Sequence, residues 1–314
     1  MAVLQMQRIS ICALKHDRKA ILEKLQSMGM IEMHQVAQDE AGFEKMDTQS
    51  AKSSFEKRVQ ITENALDVLN QYTPEKKSMF ASLEGNKLID KKTMEAAAVK
   101  QEAVMEVAEL LIADHKRIAE AQAEIVKRNA QIEALAPWMS LEVAMNYPGT
   151  KKTAMLLGTM AAETTLEMIY GKLAEDHPEI EAVDISVISR DKDAVYLSVF
   201  CMKEQAADVE NTLRTAGFSR PVVSAERIPA KQKAELEEQI RQIEEDIANI
   251  REEIISHAED REELKVIGDY YRMRAEKYEV LGTLPQSRRT FIISGYAAKE
   301  AVPAIRKGIG EAYD

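Results

Sequence analysis

The chain has 314 residues, 30% charged and 5% aromatic, with one Trp, 12 Gly and a net charge of −11. That balance suits long helices with thin cores better than one large globule, and the length admits two or more domains. It argues against a nucleic-acid binder, which concentrates Lys and Arg to neutralise phosphate; the Lys87–Lys92 region and the Lys151-Lys152 pair are too short to alter this.

No run reaches the roughly 18 apolar residues of a membrane span, and Met1 to Arg8 lacks the basic-then-apolar order of a signal peptide. The two cysteines, Cys12 and Cys201, lie far apart in apolar runs without CxxC spacing. They read as buried free thiols in a reducing compartment, and the chain as given reads as cytosolic.

Taken in order, residues 3–15 are rich in β-branched and apolar side chains and predict a buried strand. Asp17 is placed to cap a helix whose inner face is Ile21, Leu22, Leu25 and Met28, with Gly29 as its stop. Met30 to Val36 predicts a second strand. These two strands cannot form a stable sheet alone and need others from elsewhere in the chain.

From Gln49 the period becomes helical: Phe55, Val59, Thr62, Leu66 and Leu69, ended by Thr73-Pro74. Residues 75–92 are polar, with Gly85-Asn86 as a turn signal. A Gly-free helix then runs from Lys92 to Leu135, with Val104, Leu111, Ile118, Ile125 and Ile132 seven apart. Its companion positions, Val107, Asp114, Ala121, Arg128 and Leu135, are mixed. Pro137-Trp138 ends it, and Trp138 is expected to pack where this helix meets the next lobe.

Residues 150–224 differ in composition and read as βαββαβ, the ferredoxin-like order. The strands are Lys152–Thr159, Ala182–Ser189, Ala194–Met202 and Arg220–Ser224. The helices are Ala162–Glu175, with Leu166, Ile169, Tyr170 and Leu173 inward, and Lys203–Ala216, stopped by Gly217.

Residues 231–281 return in heptads. Leu236, Ile243, Ile250, His257, Leu264, Tyr271 and Tyr278 interleave with Ile240, Ile247, Ile254, Arg261, Gly268 and Ala275, the alternation of a coiled-coil seam. Acidic pairs fill the outer positions. A helix of this length, roughly 75 Å, needs a partner, and 92–135 is the expected antiparallel one. A strand at Arg289–Tyr296 and a helix from Val302-Pro303, with Val302, Ile305 and Ile309 inward, should then complete the first sheet.

The expected fold is therefore α+β, a dumbbell with two ferredoxin-like α/β lobes joined by a long antiparallel α-helical coiled coil. Its parts are 1–48 plus 283–314 (proximal lobe), 49–138 (outgoing helices), 139–225 (distal lobe) and 226–282 (return helix). The expected seam is Val104, Leu111, Ile118, Ile125, Ile132, Leu236, Ile240, Ile243, Ile247, Ile250, Ile254 and Leu264.

Several phrases on this layout carry a resemblance: MQRISICALKHDRKAILEKLQSMGMIEM at 6–33, LAPWMSLE at 135–142, TAMLLGTM at 153–160, LRTAGF at 213–218 and FIISGYAAKEAVP at 291–303. In these, and in their order along the whole chain, it resembles the cytoplasmic half of subunit I of V-type ATPases, called subunit a in eukaryotes. The resemblance implies a non-catalytic stator on the cytoplasmic side of the membrane, supporting proton or sodium transport. Its lobes would hold peripheral-stalk helices of the E and G type. It also implies a membrane half that meets the rotor ring, so the chain reads as an excised soluble region, and no transport residue carries over.

His16, His34, His115, His177 and His257 form no HxH or HExxH pattern, and no phosphate loop, dinucleotide fingerprint or nucleophile elbow is present. No catalytic, metal or cofactor residue, and no small-molecule ligand, is expected. His115 and His257 fall on or beside the seams, either loosening the coil or making a pH-responsive contact. Arg261, Gly268, Asp114 and Arg128 read as imperfect seam packing, with the arginines reaching for water. The sixteen methionines read as core filler. Two alternatives stand beside the stator: a ligand-sensing module, with Gly158-Thr159-Met160 as its candidate turn, and a coiled-coil tether.

Overall fold

The computed structural model describes residues 4–33, 44–75, 89–180, 182–222 and 225–313. The fold is mixed α+β, with two three-stranded antiparallel sheets and long helices packed together. In chain order the elements are β1 (Met6–Leu14), α1 (Arg18–Met28), β2 (Ile31–Met33), α2 (Gln49–Tyr72), α3 (Lys91–Leu135), β3 (Thr153–Ala161), α4 (Leu166–Asp176), β4 (Val183–Arg190), β5 (Ala194–Met202), α5 (Ala206–Thr215), α6 (Pro229–Ser256), α7 (Arg261–Thr283), β6 (Thr290–Ala298) and α8 (Val302–Tyr313). They divide into two compact units, 1–113 with 254–314, and 114–253. Helices α3 and α6 have residues in both.

In the first unit β6 lies between β1 and β2 and is antiparallel to each, from Met6 opposite Ala298 to Leu14 opposite Thr290. The late strand thus completes the early pair by inserting between its members. Side chains alternate along a strand. One face of β6 therefore buries Phe291, Ile293 and Ala297 against Ile21, Leu22 and Leu25 of α1 and Ile305 of α8. Gly295 makes room for β2: a Cβ there would stand 2.4 Å from the Glu32 carbonyl oxygen.

Gly29 ends α1 in the left-handed region at φ 61°, its N–H reaching the carbonyls of Leu25 and Gln26. Asp17 makes no side-chain cap to α1; a 3₁₀ turn at Lys15–Asp17 intervenes, and its carboxylate meets His16 at 3.1 Å. β1 is an edge strand and largely exposed. Cys12 is consequently exposed, contrary to the expectation for both thiols, while Cys201 is buried. Residues 34–36 of the expected second strand, His34 and the Gly85-Asn86 turn lie outside the described residues.

In the second unit the strand order is β3-β5-β4. One face carries Leu156, Met160, Leu197, Val199 and Ile185 under α4 and α5. The other, with Met155 and Leu157, packs on Leu135, Trp138, Met145 and Leu236. Trp138 therefore sits where helix meets sheet, its ring edge-on to Tyr196 at 5.3 Å. The expected strand at Arg220–Ser224 is represented among the described residues by one bridge, Ser219 to Thr159 on the free edge of β3. Helix α4 starts later than expected, at Leu166, because Thr165 caps it through Met168 N–H. Tyr170 is exposed rather than inward, and its hydroxyl accepts from Ile185 N–H at 3.0 Å.

The methionines divide: Met105, Met145, Met155 and Met160 fill cores, whereas Met6, Met30, Met168, Met202 and Met273 are exposed.

Gly158 is not in a turn. It is paired with Leu197 inside β3, and its missing side chain is replaced by the Phe218 ring, 2.1 Å from where a Cβ would stand. Gly158→Val should cost about 3 kcal/mol by overpacking. Phe218→Ala added to it should cost less than the two single effects combined. Urea denaturation of the four proteins measures this; strictly additive losses would separate the two residues.

Candidate functional site

Among the described residues no three His, Cys, Asp or Glu come together in a way that could hold a metal ion. The residues expected along the helical seam divide between the two units.

In the first unit, Val104 and Leu111 of α3, Ile254 of α6 and Leu264 of α7 are buried. Here α7 packs against two helices and runs antiparallel to α2, since Lys52 meets Glu279 near one end and Arg261 donates to Asn70 near the other. Against α3, Lys100 Nζ meets Glu263 at 2.7 Å and the Tyr271 hydroxyl donates to Gln101 at 3.3 Å. Against α2, Arg272 meets Glu63 at 2.9 Å, and Phe55 stacks on Tyr271 with centroids 6.2 Å apart. Arg58 joins all three, donating to the Tyr271 hydroxyl at 2.7 Å and to Glu102 of α3 at 3.0 Å. Burial pushes the Tyr271 hydroxyl pKa up.

Helix α2 is therefore a partner of α7 that the heptad pairing with 92–135 did not include. The signal for it is small side chains: Gly268 is buried, and a Cβ there would stand 3.0 Å from Thr62 Oγ1. Gly268 is thus a close-approach position, not a packing defect.

Arg261 also departs from expectation. It is 6% exposed and does not reach for water. Its guanidinium donates to the Leu69 and Thr73 carbonyls, to Thr73 Oγ1 at 2.8 Å and to Asn70, adding charged donors at the end of α2, where the Leu69 carbonyl also accepts from Thr73 N–H at 2.7 Å. The return helix is also not continuous: a 3₁₀ turn, His257–Asp260, separates α6 from α7, and the two residues that bound it pair at 2.7 Å.

In the second unit α3 and α6 run antiparallel: Arg128 Nε donates to Gln239 at 3.0 Å, while the earlier Arg117–Glu124 stretch of α3 faces the later Ile243–Glu253 stretch of α6. Ile118, Ile247, Ile250 and Leu236 are buried, while Ile125, Ile132, Ile240 and Ile243 are half-buried. Two helices cover only one side of each other's stripe, so the seam's rim stays wet. Asp114 is 1% exposed; one carboxylate oxygen accepts from Arg117 at 2.7 Å, and the other has no hydrogen-bond partner among the described residues. His177 meets Glu179 at 3.0 Å, and His115 is half-buried.

A groove of about 900 Å³ lies between the start of α3 and α7, floored by Val104 and Ile267. Its cations are matched internally: Lys100 to Glu263, Lys265 to Glu75 and Glu262, Arg272 to Glu63 and Asp269.

Near the free edge of β3, Glu210 of α5 takes a two-pronged bond from Arg220, at 2.8 and 2.6 Å, and two more from Arg214, at 3.1 and 2.6 Å. The Arg220 bonds hold its carboxyl below the usual carboxylate range, against the opposing effect of desolvation and with help from Arg214. This clamp ties the segment after Phe218 to α5.

No protein-family model matches the chain, and no curated protein matches it. Among solved structures it is similar to one described as the crystal structure of the cytoplasmic N-terminal domain of subunit I, homolog of subunit a, of V-ATPase. The TM-score is 0.51 at 17% identity, and the match covers 98% of each chain. At that identity the likeness is one of fold. It spans the same length as the resemblance read from the sequence.

Two outcomes are expected. Arg261→Met should lower stability by about 2–3 kcal/mol, since buried carbonyls lose charged donors, with faster amide exchange at Thr73; unchanged exchange would separate Arg261 from the cap. The depressed Glu210 carboxyl gives stability that is fully present above the ordinary carboxylate range and is lost as pH falls through the lowered value. Between about pH 5 and pH 2, the wild-type melting temperature should therefore fall more steeply than that of Glu210→Gln; parallel curves would remove the clamp's role.

Proposed function

We propose that this chain is the cytoplasmic stator region of a V-type ATPase subunit of the subunit I, or subunit a, kind. In that role it is non-catalytic and lies on the cytoplasmic side of the membrane. It links the ion-translocating sector to peripheral-stalk E and G subunits and resists rotor torque during proton or sodium transport.

The observation that carries this reading is the fold likeness through 98% of both chains, coinciding with the ordered phrases at 6–33, 135–142, 153–160, 213–218 and 291–303. The order β3-β5-β4, with the Ser219 segment on the free edge of β3, supports a ferredoxin-like distal lobe at 139–225. The proximal lobe is assigned to 1–48 with 283–314, and the shaft to 49–138 and 226–282, with the twelve seam residues as its contact line. The ligand-sensing alternative loses its candidate turn, because Phe218 occupies the space beside Gly158.

Both lobes, rather than the shaft, are the proposed docking points for E–G helices. The shaft's outer face is dense with charge, and its exposed apolar side chains, such as Val99 and Val126, lie far apart along the helix rather than in one patch. Two separated attachments raise each other's effective concentration, so each contact can be weak. Calorimetry of the cognate E–G pair against the whole chain, and against a version with 139–225 replaced by a short loop, tests this. Affinity should drop at least about tenfold on loss of the lobe, as expected when one of two tethered sites is removed. Equal affinity for both proteins would sink the two-lobe reading.

A further inference from the structure

The edges of the two sheets are not equally protected. An open strand edge presents unpaired N–H and C=O groups, and proteins blunt such edges by shortness, charge, bulges or cover. Strand β2 is three residues long. Strand β4 carries a register shift between Val187 and Ser189 and exposes Asp184 and Arg190. The free edge of β3 is bridged by Ser219. Strand β1 has none of these devices among the described residues: its nine residues pair with β6 in unbroken register, and only Arg8 is charged.

Its side chains point the same way. On the helix-covered face, Ile9, Ile11 and Ala13 are only half-buried, while their β6 neighbours Phe291, Ile293 and Ala297 are fully buried. The core is thus left partly uncovered along the β1 side. On the opposite face Met6 and Leu14 are about half-exposed, at 48% and 49%, and Cys12 is exposed.

The composition of β1 selects its partner. Laid antiparallel against a second β1 about its central residue, Ser10, all nine residues overlap. Met6 then faces Leu14, Gln7 faces Ala13, Arg8 faces Cys12, Ile9 faces Ile11, and Ser10 faces itself. Met6–Leu14 on one face and Ile9–Ile11 on the other set apolar against apolar, Ser10 meets its own hydroxyl, and no like charges are opposed. A two-fold axis makes each contact twice, the usual geometry of a dimer.

We propose that a second copy of this chain docks on the β1 edge, the two β1 strands pairing antiparallel about Ser10 to make one continuous six-stranded sheet. This goes beyond the stator reading and does not depend on it.

Sedimentation velocity of the whole chain, from about 1 to about 200 µM, is the test, the span being chosen for an association of modest strength. The expected result is a reversible monomer–dimer equilibrium in wild type. Cys12→Lys places a cation opposite Arg8 of the other copy at two symmetric points and should weaken the dimer at least about tenfold. Arg8→Glu combined with Cys12→Lys turns both repulsions into attractions and should restore it. Residues 8 and 12 are exposed, so circular dichroism should be the same for all three proteins. A wild-type monomer throughout the range overturns the proposal. So does a dimer that ignores Cys12→Lys, or a double variant that dimerises no better than Cys12→Lys alone.

Discussion

Nine residues near the start of the chain pair in register with nine near its end, β1 with β6, and everything between must bring those ends back together. Strand β2 is only three residues long and β1 is an edge, so without β6 the early βαβ segment has no stable sheet. An outgoing helical path therefore requires a return path, which is why the second half of the chain repeats the heptad pattern of the first. The Phe291, Ile293 and Ala297 face of β6 then gives α1 and α8 a common floor, so that one strand organises two helices distant in sequence.

Close approach is the second recurring constraint, met each time by a missing side chain. Gly295 admits the Glu32 carbonyl, Gly158 admits the Phe218 ring, and Gly268 admits Thr62. None of these is a turn or a helix stop, the roles in which glycine is easiest to recognise along a sequence. Their effect is on which neighbours can touch: β2 with β6, the Phe218 segment with β3, and α2 with α7. The phrases at 153–160, 213–218 and 291–303 are therefore packing phrases, since the glycine of one segment is meaningful only beside the residue it accommodates.

Much of this architecture was legible because periodicity is a local property. The helices at 49–72 and 91–135, the strands at 153–161 and 194–202, and the helix at 302–313 follow from spacing alone. What was not legible depended on partners. Heptads say that a stripe must be covered without saying by what, so α2's contact with α7 was missed although the apolar spacing of 55–69 was visible. Arg261 stands at a seam position and looks like a defect; only the end of α2, some 190 residues away, gives its guanidinium four acceptors. Cys12 lies in an apolar run like Cys201, but alternation along an edge strand turns it outward. Burial of a strand depends on its place in the sheet order, which composition does not reveal.

The helical segments of the two units also differ in what resists their deformation. In the first, three helices share Tyr271 and Arg58, and Arg261 ties the end of α2 to α7. Bending there would break buried charged hydrogen bonds as well as apolar contact. In the second, the stretch of α3 and α6 lined by Ile118, Ile125, Ile243 and Ile250 is a two-helix pair with a half-wet rim. Most ion pairs along it, such as Lys116–Glu120 and Arg241–Glu238, are exposed contacts within one helix. Those support each helix locally by a few tenths of a kcal/mol, but they do not hold the two together. Cohesion of that pair rests on Ile118, Ile247, Ile250 and Leu236, so it should respond to truncation of those four side chains far more than to salt.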